Sequence, residues 1–445
     1  MIEFNLSSNE HISCLLFGGE LKKEVIEPIS DEFGKPVVFK TGERIGQLKT
    51  KKVKKIIKIK GLGLKSLDEW KTKKEGIYSV DDEVLSYFAS ENFRNQTLIR
   101  KHYNANIASN FCKLLLDNRR ISKQLSTYYN PIESLLYEDS CVRGSFIHVE
   151  TETGRLSCRN PNVQNQPKSF ESNVKQHFTS RFKNGKILEV DFKQLEIVVQ
   201  ACLSKDKAYI QDIINGVDFH IKRLAASEEV PYAYVVNKIN SKDPEWVQKR
   251  STIKAFSFAR AYGAGVKKIN QLSGISEEKI YDLIKKEDIM YPQLAVYNRR
   301  LENFVNAHIE GEWGYYIGPT NRRYYFKIQP APLWAQRRGE KYSFSPTKLK
   351  NYIVQGTATA DIVLIMLGKL FREGIQHRDK FLIVNTIHDS VVFDCKEEYV
   401  DFTCSWIKKV LSLTNEVMKD LFNLNLPITI DNDIKVGDSW WECGL

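Results

Sequence analysis

Apolar runs along the chain predict short strands that end in acidic residues. Residues 187–192 (Ile-Leu-Glu-Val-Asp-Phe) are typical of a strand, and apolar residues at 195, 198, 199 and 202 follow at the spacing of an amphipathic helix. Residues 381–387 predict another strand, which returns through 391–393 as a hairpin. Asp191 and Asp389 therefore end two apolar strands, 198 positions apart (389 − 191).

The remaining pattern is mostly helical, apart from one basic segment. Helical apolar spacing extends over residues 81–140, and residues 204–345 read as a long, mostly helical insertion. Residues 49–60 (KTKKVKKIIKIK) hold the strongest cluster of positive charge. Such a cluster is either a solvated surface segment or a flexible arm that follows nucleic-acid phosphates, and composition alone favours neither.

Composition and charge exclude several classes of protein. A length of 445 residues allows about three domains. The apolar fraction of 42% is too high for a disordered chain, and 66 Lys and Arg against 55 Asp and Glu give a net charge of +11. This charge favours polyanionic partners, nucleic acid first and anionic membrane surfaces second. The first residues lack the basic segment followed by an apolar core that a secretion signal has. No run approaches the roughly 18 apolar residues of a membrane span. The eight scattered cysteines are expected to be free thiols.

The two strand-end aspartates are candidates for a metal site. A carboxylate without a partner is costly at the end of an apolar strand, and two facing carboxylates repel unless a divalent cation lies between them. Mg²⁺ prefers oxygen ligands of this kind, and a pair of such ions supports phosphoryl transfer. Taken singly, each aspartate is better explained as a turn residue or a helix cap.

One predicted helix, residues 248–263, has a stripe of cations and rings. Arg250, Lys254, Phe258 and Tyr262 recur at every fourth position. Two cations one turn apart suit a polyphosphate, and the rings beyond them suit a sugar and a base. In isolation, a helix with an exposed basic end and a packed aromatic end is the simpler interpretation.

Two polar segments are rich in amides and arginine. Residues 151–167 and 351–361 contain the Arg, Asn and Gln side chains that recognise acceptors in the minor groove of DNA. Either segment also fits ordinary turn chemistry.

Together and in this order, these segments resemble family A DNA polymerases, especially the bacteriophage type. Residues 191–196 (DFKQLE) are similar to the first catalytic-acid motif, the stripe to the nucleotide-binding fingers helix, and His388-Asp389 to the second acid motif. Residues 153–165 resemble the template–primer motif. Residues 218–220 (DFH), 355–358 (QGTA) and 437–440 (GDSW) match further signatures. Each motif alone is weak, but their order makes the set specific.

The resemblance implies an α+β, right-hand polymerase fold with an antiparallel palm sheet and helical fingers and thumb. The expected regions are 1–140 (thumb and N-terminal scaffold), 141–203 (first part of the palm), 204–345 (fingers) and 346–445 (second part of the palm). A place in the thumb favours the phosphate-following interpretation of residues 49–60, with Lys51, Lys52, Lys54 and Lys55 on the DNA backbone.

The resemblance also implies roles for individual residues. Asp191, Asp389 and the backbone carbonyl of Phe192 would hold two Mg²⁺ ions. The residues expected at the incoming dNTP are Glu196, His220, Arg250, Lys254, Phe258 on the sugar and Tyr262 at the templating position. The residues expected along the primer–template are Arg155, Asn162, Gln164, Asn165, Asn351, Gln355 and His388.

The implied function is template-directed addition of dNTPs to a primer 3′-OH, in phage-type DNA replication. The expected partners are primer–template DNA and dNTPs. No proofreading exonuclease is expected on this chain, because the resemblance begins within its first residues. An exonuclease, a helicase or a processivity factor would be separate chains. No membrane is expected, and the expected location is the cytoplasm, or the host cytoplasm for a viral protein.

At one position the sequence departs from the family motif, and this leaves a second class of enzyme as an alternative. Ser390 stands where the family usually has a glutamate, which puts a third carboxylate at the metals in doubt. Single-subunit RNA polymerases also have His-Asp-Ser there. Glu196 favours a DNA polymerase, because in the family this side chain fills the space that a ribose 2′-OH needs. The alternative from another class is a non-catalytic nucleic-acid-binding protein, which both aspartates and the cationic helix disfavour.

Overall fold

A computed structural model describes residues 4–90, 104–148, 150–261, 264–331, 336–337, 339 and 342–444. The chain divides into two units, Met1–Asn130 and Pro131–Leu445. The division falls at 130, whereas the thumb and N-terminal scaffold were expected to end at 140. The assignment of the four regions to thumb, palm and fingers stays a prediction.

The first unit combines a long hairpin with helices. Strands β1 (Gly19–Pro28) and β2 (Thr50–Ile59) pair antiparallel over their whole length. The helices are α1 (Asn9–Phe17), α2 (Asp82–Ala89) and α3 (Asn104–Gln124), and α3 continues as a π-helical segment, Leu125–Tyr129. A buried cluster that includes Ile12, Leu16, Leu85 and Phe88 forms the core of this unit.

Most of the basic segment 49–60 forms the regular strand β2, one half of a hairpin, and its interpretation as an arm that follows phosphates stays a prediction. β-Branched residues explain the strand: Val53, Ile57 and Ile59 lie on one face of β2 and are partly buried. Three of its lysines form ion pairs with glutamates of β1, Lys52 with Glu24, Lys55 with Glu27 and Lys58 with Glu20. Lys51, Lys52, Lys54 and Lys55 are exposed on this strand, and their contact with DNA stays a prediction.

A four-stranded antiparallel sheet organises the second unit. Its order is β11 (Phe381–Ile387), β12 (Ser390–Cys395), β5 (Lys186–Phe192) and β13 (Asn432–Gly437). The predicted strand at 187–192 and the predicted hairpin at 381–393 are therefore confirmed.

Alternation along β5 gives the sheet two different faces. Leu188, Val190 and Phe192 are at most 1% exposed and pack against a helical layer that covers one face. Glu189 and Asp191 point to the other face because side chains alternate along a strand. There Val392 packs with Trp440 from the short C-terminal helix. The polar face of β5 therefore bears the acidic residues.

The other elements of the second unit are helices and short strands. The strands are β3 (Ser145–Ile147), β4 (Ser157–Arg159), β6 (Ile309–Glu310), β7 (Trp313–Ile317), β8 (Arg323–Lys327), β9 (Gln329–Pro330) and β10 (Tyr342–Ser343). Helices α4 to α10 are Asn130–Ser134, Leu195–Ser204, Lys207–Ile214, Phe219–Glu228, Tyr232–Asn240, Pro244–Ala261 and Val266–Ser273. Helices α11 to α17 are Glu277–Met290, Pro292–Ala307, Pro346–Gln355, Val363–Gly374, Val400–Ser412, Thr414–Phe422 and Trp440–Cys443.

The expected helical insertion at 204–345 is helical only as far as Ala307. Beyond it, β6, β7 and β8 form a three-stranded antiparallel sheet. Aromatic residues dominate these strands, which favours extended structure over helix. Tyr324 and Phe326 of β8 are buried in a cluster with helices α12 and α13.

Two further expectations concern the membrane and the cysteines. The helical stretch 348–377 is long and apolar enough to cross a membrane, so the expectation that no segment approaches this length needs correction. However, 72% of its most apolar window is buried inside the fold, as in the core helix of a globular protein. All eight cysteines are free thiols, as predicted.

Candidate active site

The sheet brings Asp191 and Asp389 together. Asp191 is paired with Ser390 across β5 and β12, and Asp389 directly precedes Ser390 in the two-residue turn of the hairpin. The backbone N–H of Phe192 donates to the carbonyl of Asp389 at 3.0 Å. His388, the other turn residue, has a φ of 52°, a conformation typical of tight hairpins. Two aspartates 198 positions apart thus flank the same strand end.

Several carboxyl groups surround Asp191. Its side chain remains accessible to solvent, yet the surrounding protein raises the pKa of Asp191 to about 7. Burial is the largest cause, and repulsion from Asp389, Glu189 and Asp433 adds to it. Such a donor set fits a hard divalent cation, which would relieve the repulsion. Among the described residues, no group of three or more His, Cys, Asp or Glu is already arranged around a metal position.

Glu196 lies beside this acid pair, at the start of α5. Its carboxylate accepts a hydrogen bond from Arg155 at 2.9 Å, and Arg155 Nε donates to Thr359 at 2.7 Å. Burial raises the pKa of Glu196, Asp389 adds to this rise, and the Arg155 guanidinium opposes it. Burial and the charge of Arg155 lower the pKa of His388. Arg155 therefore links the template–primer segment to both acid motifs.

A cavity of about 660 Å³ opens over the strand ends within the second unit. Six of the residues singled out in the sequence line it: Asp191, Phe192, Glu196, His220, Asn351 and Asp389. The fold therefore places all three residues of the predicted metal site, and two of the six predicted dNTP-binding residues, around one cavity.

The cationic stripe lies on α9, but its two cations are not among the residues that line the cavity. Arg250 donates to Asp218 at 2.6 Å, and Asp218 also caps α7 through the N–H groups of His220 and Ile221. Burial acts to raise the pKa of Asp218, but these hydrogen bonds lower it overall. Lys254 is exposed one turn further along the helix. The side chain of Phe258 and the whole of Tyr262 lie outside the described residues.

The template–primer segment is held next to the hairpin. Gln164 donates to the carbonyl of Thr386 on β11 at 2.8 Å. The side-chain oxygen of Asn162 accepts the backbone N–H groups of Gln164 and Asn165, so it stabilises the turn itself. Gln355 is only 9% exposed, at the end of α13. The contact of these residues with DNA stays a prediction.

Sequence reasoning missed a buried ion pair in the wall of the cavity. Arg223 of α7 contacts Glu287 of α11 through Nε at 2.9 Å and Nη2 at 2.6 Å, and Arg260 of α9 approaches the same carboxylate at 3.6 Å. All three residues line the cavity. Arg223 and Glu287 are 64 positions apart and belong to no recognisable local pattern, so only the fold reveals the pair.

An antiparallel sheet that brings two aspartates to one strand end, beside a cavity, is the arrangement expected for the palm of a right-hand polymerase. Residues 41–442 match the model of DNA polymerase family A, and the chain belongs to this family. The family prediction is therefore confirmed, whereas the bacteriophage type stays a prediction.

The chain is similar to bacterial relatives but shorter than they are. It is 28% identical to DNA polymerase I of Borreliella burgdorferi, over 74% of this chain and 33% of that protein. It is 26% identical to DNA polymerase I of Bacillus subtilis, over 95% of this chain and 42% of that protein. The chain thus spans less than half the length of these curated relatives.

A solved structure confirms the predicted right-hand fold. The POL domain of Pol1 from M. smegmatis, in complex with DNA primer-template and dNTP, matches with a TM-score of 0.62 and 19% identity. The match covers 83% of this chain and 58% of that one.

Proposed function

We propose that this chain is a template-directed DNA polymerase that adds dNTPs to a primer 3′-OH. The observation that carries the proposal is the convergence of Asp191 and Asp389 at one strand end, facing a cavity that Glu196 also lines. Membership of family A supports the same reaction. Primer–template DNA and dNTPs are the proposed partners, and the cytoplasm is the proposed location.

The metal is proposed to be Mg²⁺, as two ions held by Asp191, Asp389 and the Phe192 carbonyl. When bound, these ions would supply activation of the 3′-OH and neutralisation of charge on the leaving oxygen. The pairing of the strands holds the two carboxylates at the same strand end before any ion binds. Little rearrangement of the protein is therefore needed for the ions to bind.

The fingers residues are proposed to bind the triphosphate. Arg250 and Lys254 lie one turn apart on α9, and His220 lines the cavity. Arg250 is already bonded to Asp218, so a phosphate would replace one charge-assisted hydrogen bond with another. Phe258 is proposed to pack on the sugar, and Tyr262 to stack at the templating position.

Glu196 is proposed to discriminate against ribonucleotides. Its carboxylate is held in one orientation by Arg155, at the edge of the cavity. A fixed side chain that fills the space of a 2′-OH rejects that hydroxyl by a clash, without forming a contact to the deoxyribose.

Primer extension with dNTPs and rNTPs in parallel tests this proposal. The full chain should extend a primed DNA template with dNTPs, and Asp389→Asn should remove the extension. Asp431→Asn is the matched control, because Asp431 does not line the cavity and pairs with Lys193 at 3.1 Å. Preferential use of rNTPs would instead support the RNA polymerase alternative that Ser390 favours. Duplex binding without any extension would support the non-catalytic alternative.

A further inference from the structure

Glu189 is a half-buried acid on the same face of β5 as Asp191, two residues earlier in the chain. One of its carboxylate oxygens accepts a hydrogen bond from the hydroxyl of Ser390 at 3.2 Å. The other accepts a hydrogen bond from the indole N–H of Trp440 at 3.1 Å. Both oxygens of Glu189 are therefore held by neighbours on other elements.

The hydrogen bond between Glu189 and Ser390 joins β5, which bears Asp191, to the first residue of β12, which directly follows Asp389. Ser390 is paired with Asp191 in the sheet and follows Asp389 in the chain. Its hydroxyl is also 3.2 Å from the carbonyl of Ile387, at the other end of the hairpin turn. Glu189 thus ties the tip of the hairpin, which holds Asp389, to the strand that holds Asp191.

Trp440, which donates to the second carboxylate oxygen of Glu189, is itself buried and held in place. Trp440 is 3% exposed, and its backbone N–H donates to the carbonyl of Phe178 at 2.9 Å. The ammonium of Lys175 lies 4.2 Å from the centre of the Trp440 ring. Burial lowers the pKa of Lys175, and the charge of Glu189 opposes this effect. An ordered support of this kind holds a carboxylate in a single orientation.

The same contact is compatible with a serine at position 390. A glutamate there, in the side-chain conformation of the serine, would bring a second carboxylate next to that of Glu189, whose oxygen lies 3.2 Å from the serine hydroxyl. Two carboxylates at that distance do not both ionise readily. The additional carboxylate near the two aspartates is therefore supplied by Glu189 of β5, and not by residue 390 of β12.

We propose that Glu189 is a positioning residue of the metal site, which replaces the acid missing at position 390. It acts through Ser390 by setting the separation of Asp191 and Asp389, and its charge adds to the attraction for divalent cations. It is not proposed as a direct ligand, since the described residues contain no ready three-acid group. The inference rests on the proposed function, in which the two aspartates hold divalent ions.

Mn²⁺ binding to the full chain, measured by electron paramagnetic resonance without DNA or nucleotide, tests the proposal. Glu189→Gln keeps the size of the side chain and a hydrogen-bond acceptor but removes the charge. It should weaken Mn²⁺ binding about tenfold, as loss of outer partners of metal ligands does. Ser390→Ala keeps the charge but removes the bridge, and should weaken binding by a smaller factor. Glu416→Gln, on a helix against the opposite face of the sheet, is the matched control and should leave the affinity unchanged.

A double variant that exchanges the two side chains, and the Mg²⁺ dependence of the rate, distinguish a role of Glu189 in positioning the metal site from a role in stability alone. The double variant Glu189→Ser with Ser390→Glu moves the carboxylate to β12 and should bind Mn²⁺ more tightly than Glu189→Gln. In single-nucleotide addition, Glu189→Gln should raise the Mg²⁺ concentration needed for half-maximal rate far more than it lowers the rate at saturating Mg²⁺. Thermal unfolding of each variant verifies that it is folded.

Mn²⁺ affinity of Glu189→Gln within twofold of the wild type would overturn the inference, whatever the swap shows. This failure is distinguishable from failure of the proposed function. In the first case the wild type still extends primers and Asp389→Asn does not. In the second case the wild type itself does not extend primers.

Discussion

Replacing Asp191 with Asn is expected to stabilise the metal-free protein while it abolishes catalysis. A carboxyl whose pKa rises from 3.8 to about 7 loses about 4 kcal/mol of folding free energy when it ionises, at 1.36 kcal/mol per pKa unit. Because Asp191 is accessible to water, solvent screening reduces this penalty to ~1–2 kcal/mol. Asparagine removes the penalty, since it has no charge to be repelled by Asp389 and Glu189.

The direction of the pH dependence follows from the raised pKa. Well below pH 3.8 Asp191 is protonated in both the folded and the unfolded chain, so it contributes no penalty. The penalty develops as the pH rises from 3.8 to about 7, and it is complete above that range. The advantage of Asp191→Asn should therefore be largest at pH 8 and less than half as large at pH 5.

Thermal unfolding in EDTA at these two pH values measures the effect. At pH 8 the variant should melt about 2–4 °C above the wild type. Added Mn²⁺ should then stabilise the wild type more than the variant, because only the wild type keeps both carboxylates. Asp431→Asn is the control of opposite sign, since the hydrogen bond from Lys193 lowers the pKa of Asp431. A variant at position 191 that is no more stable than the wild type at pH 8 in EDTA would refute the reasoning.

Three further predictions concern the ion pair, a close contact and sugar selection. Glu287→Gln should destabilise the protein by ~3–5 kcal/mol in urea unfolding, because it leaves the buried Arg223 charge uncompensated; a loss below 1 kcal/mol would contradict this. Gly356→Ala should cost ~1–3 kcal/mol, because the added Cβ would overlap the ring of Tyr324. Gly368→Ala is the comparison, since its Cβ would have no atom within 4 Å and the change should be neutral or stabilising. Equal stability of the two alanine variants would be the contrary result. Glu196→Ala should increase the use of rNTPs relative to dNTPs in primer extension, and an unchanged ratio would count against its proposed role.

Local pattern was sufficient to predict the elements that place the acids. Strand β5 and the β11–β12 hairpin were predictable because each combines an apolar run with a turn or a helix start. Their pairing was not, since spacing along the chain does not show which strands are neighbours. Resemblance to the family supplied that step, and the sheet order confirms it.

The failures have physical causes in particular segments. Residues 49–60 were interpreted from their charge, but their β-branched residues and the glutamates of β1 make them a strand. The aromatic strands after Ala307 were hidden within a region that is otherwise helical. Glu189 was overlooked because its partners, Ser390 and Trp440, lie 201 and 251 positions away. Long-range hydrogen bonds of this kind leave no local signal.

The central claim is that Asp191 and Asp389 act together in nucleotide transfer, and single-turnover addition of one dNTP to a prebound primer–template tests it most directly. If these carboxylates hold the metal ions as proposed, Asp191→Asn and Asp389→Asn should each lower the rate at least about a thousandfold, since each removes most of the transition-state stabilisation. The Kd for the duplex should stay within about threefold of the wild type, because phosphate contacts dominate that affinity. A rate within tenfold of the wild type in either variant would contradict the account.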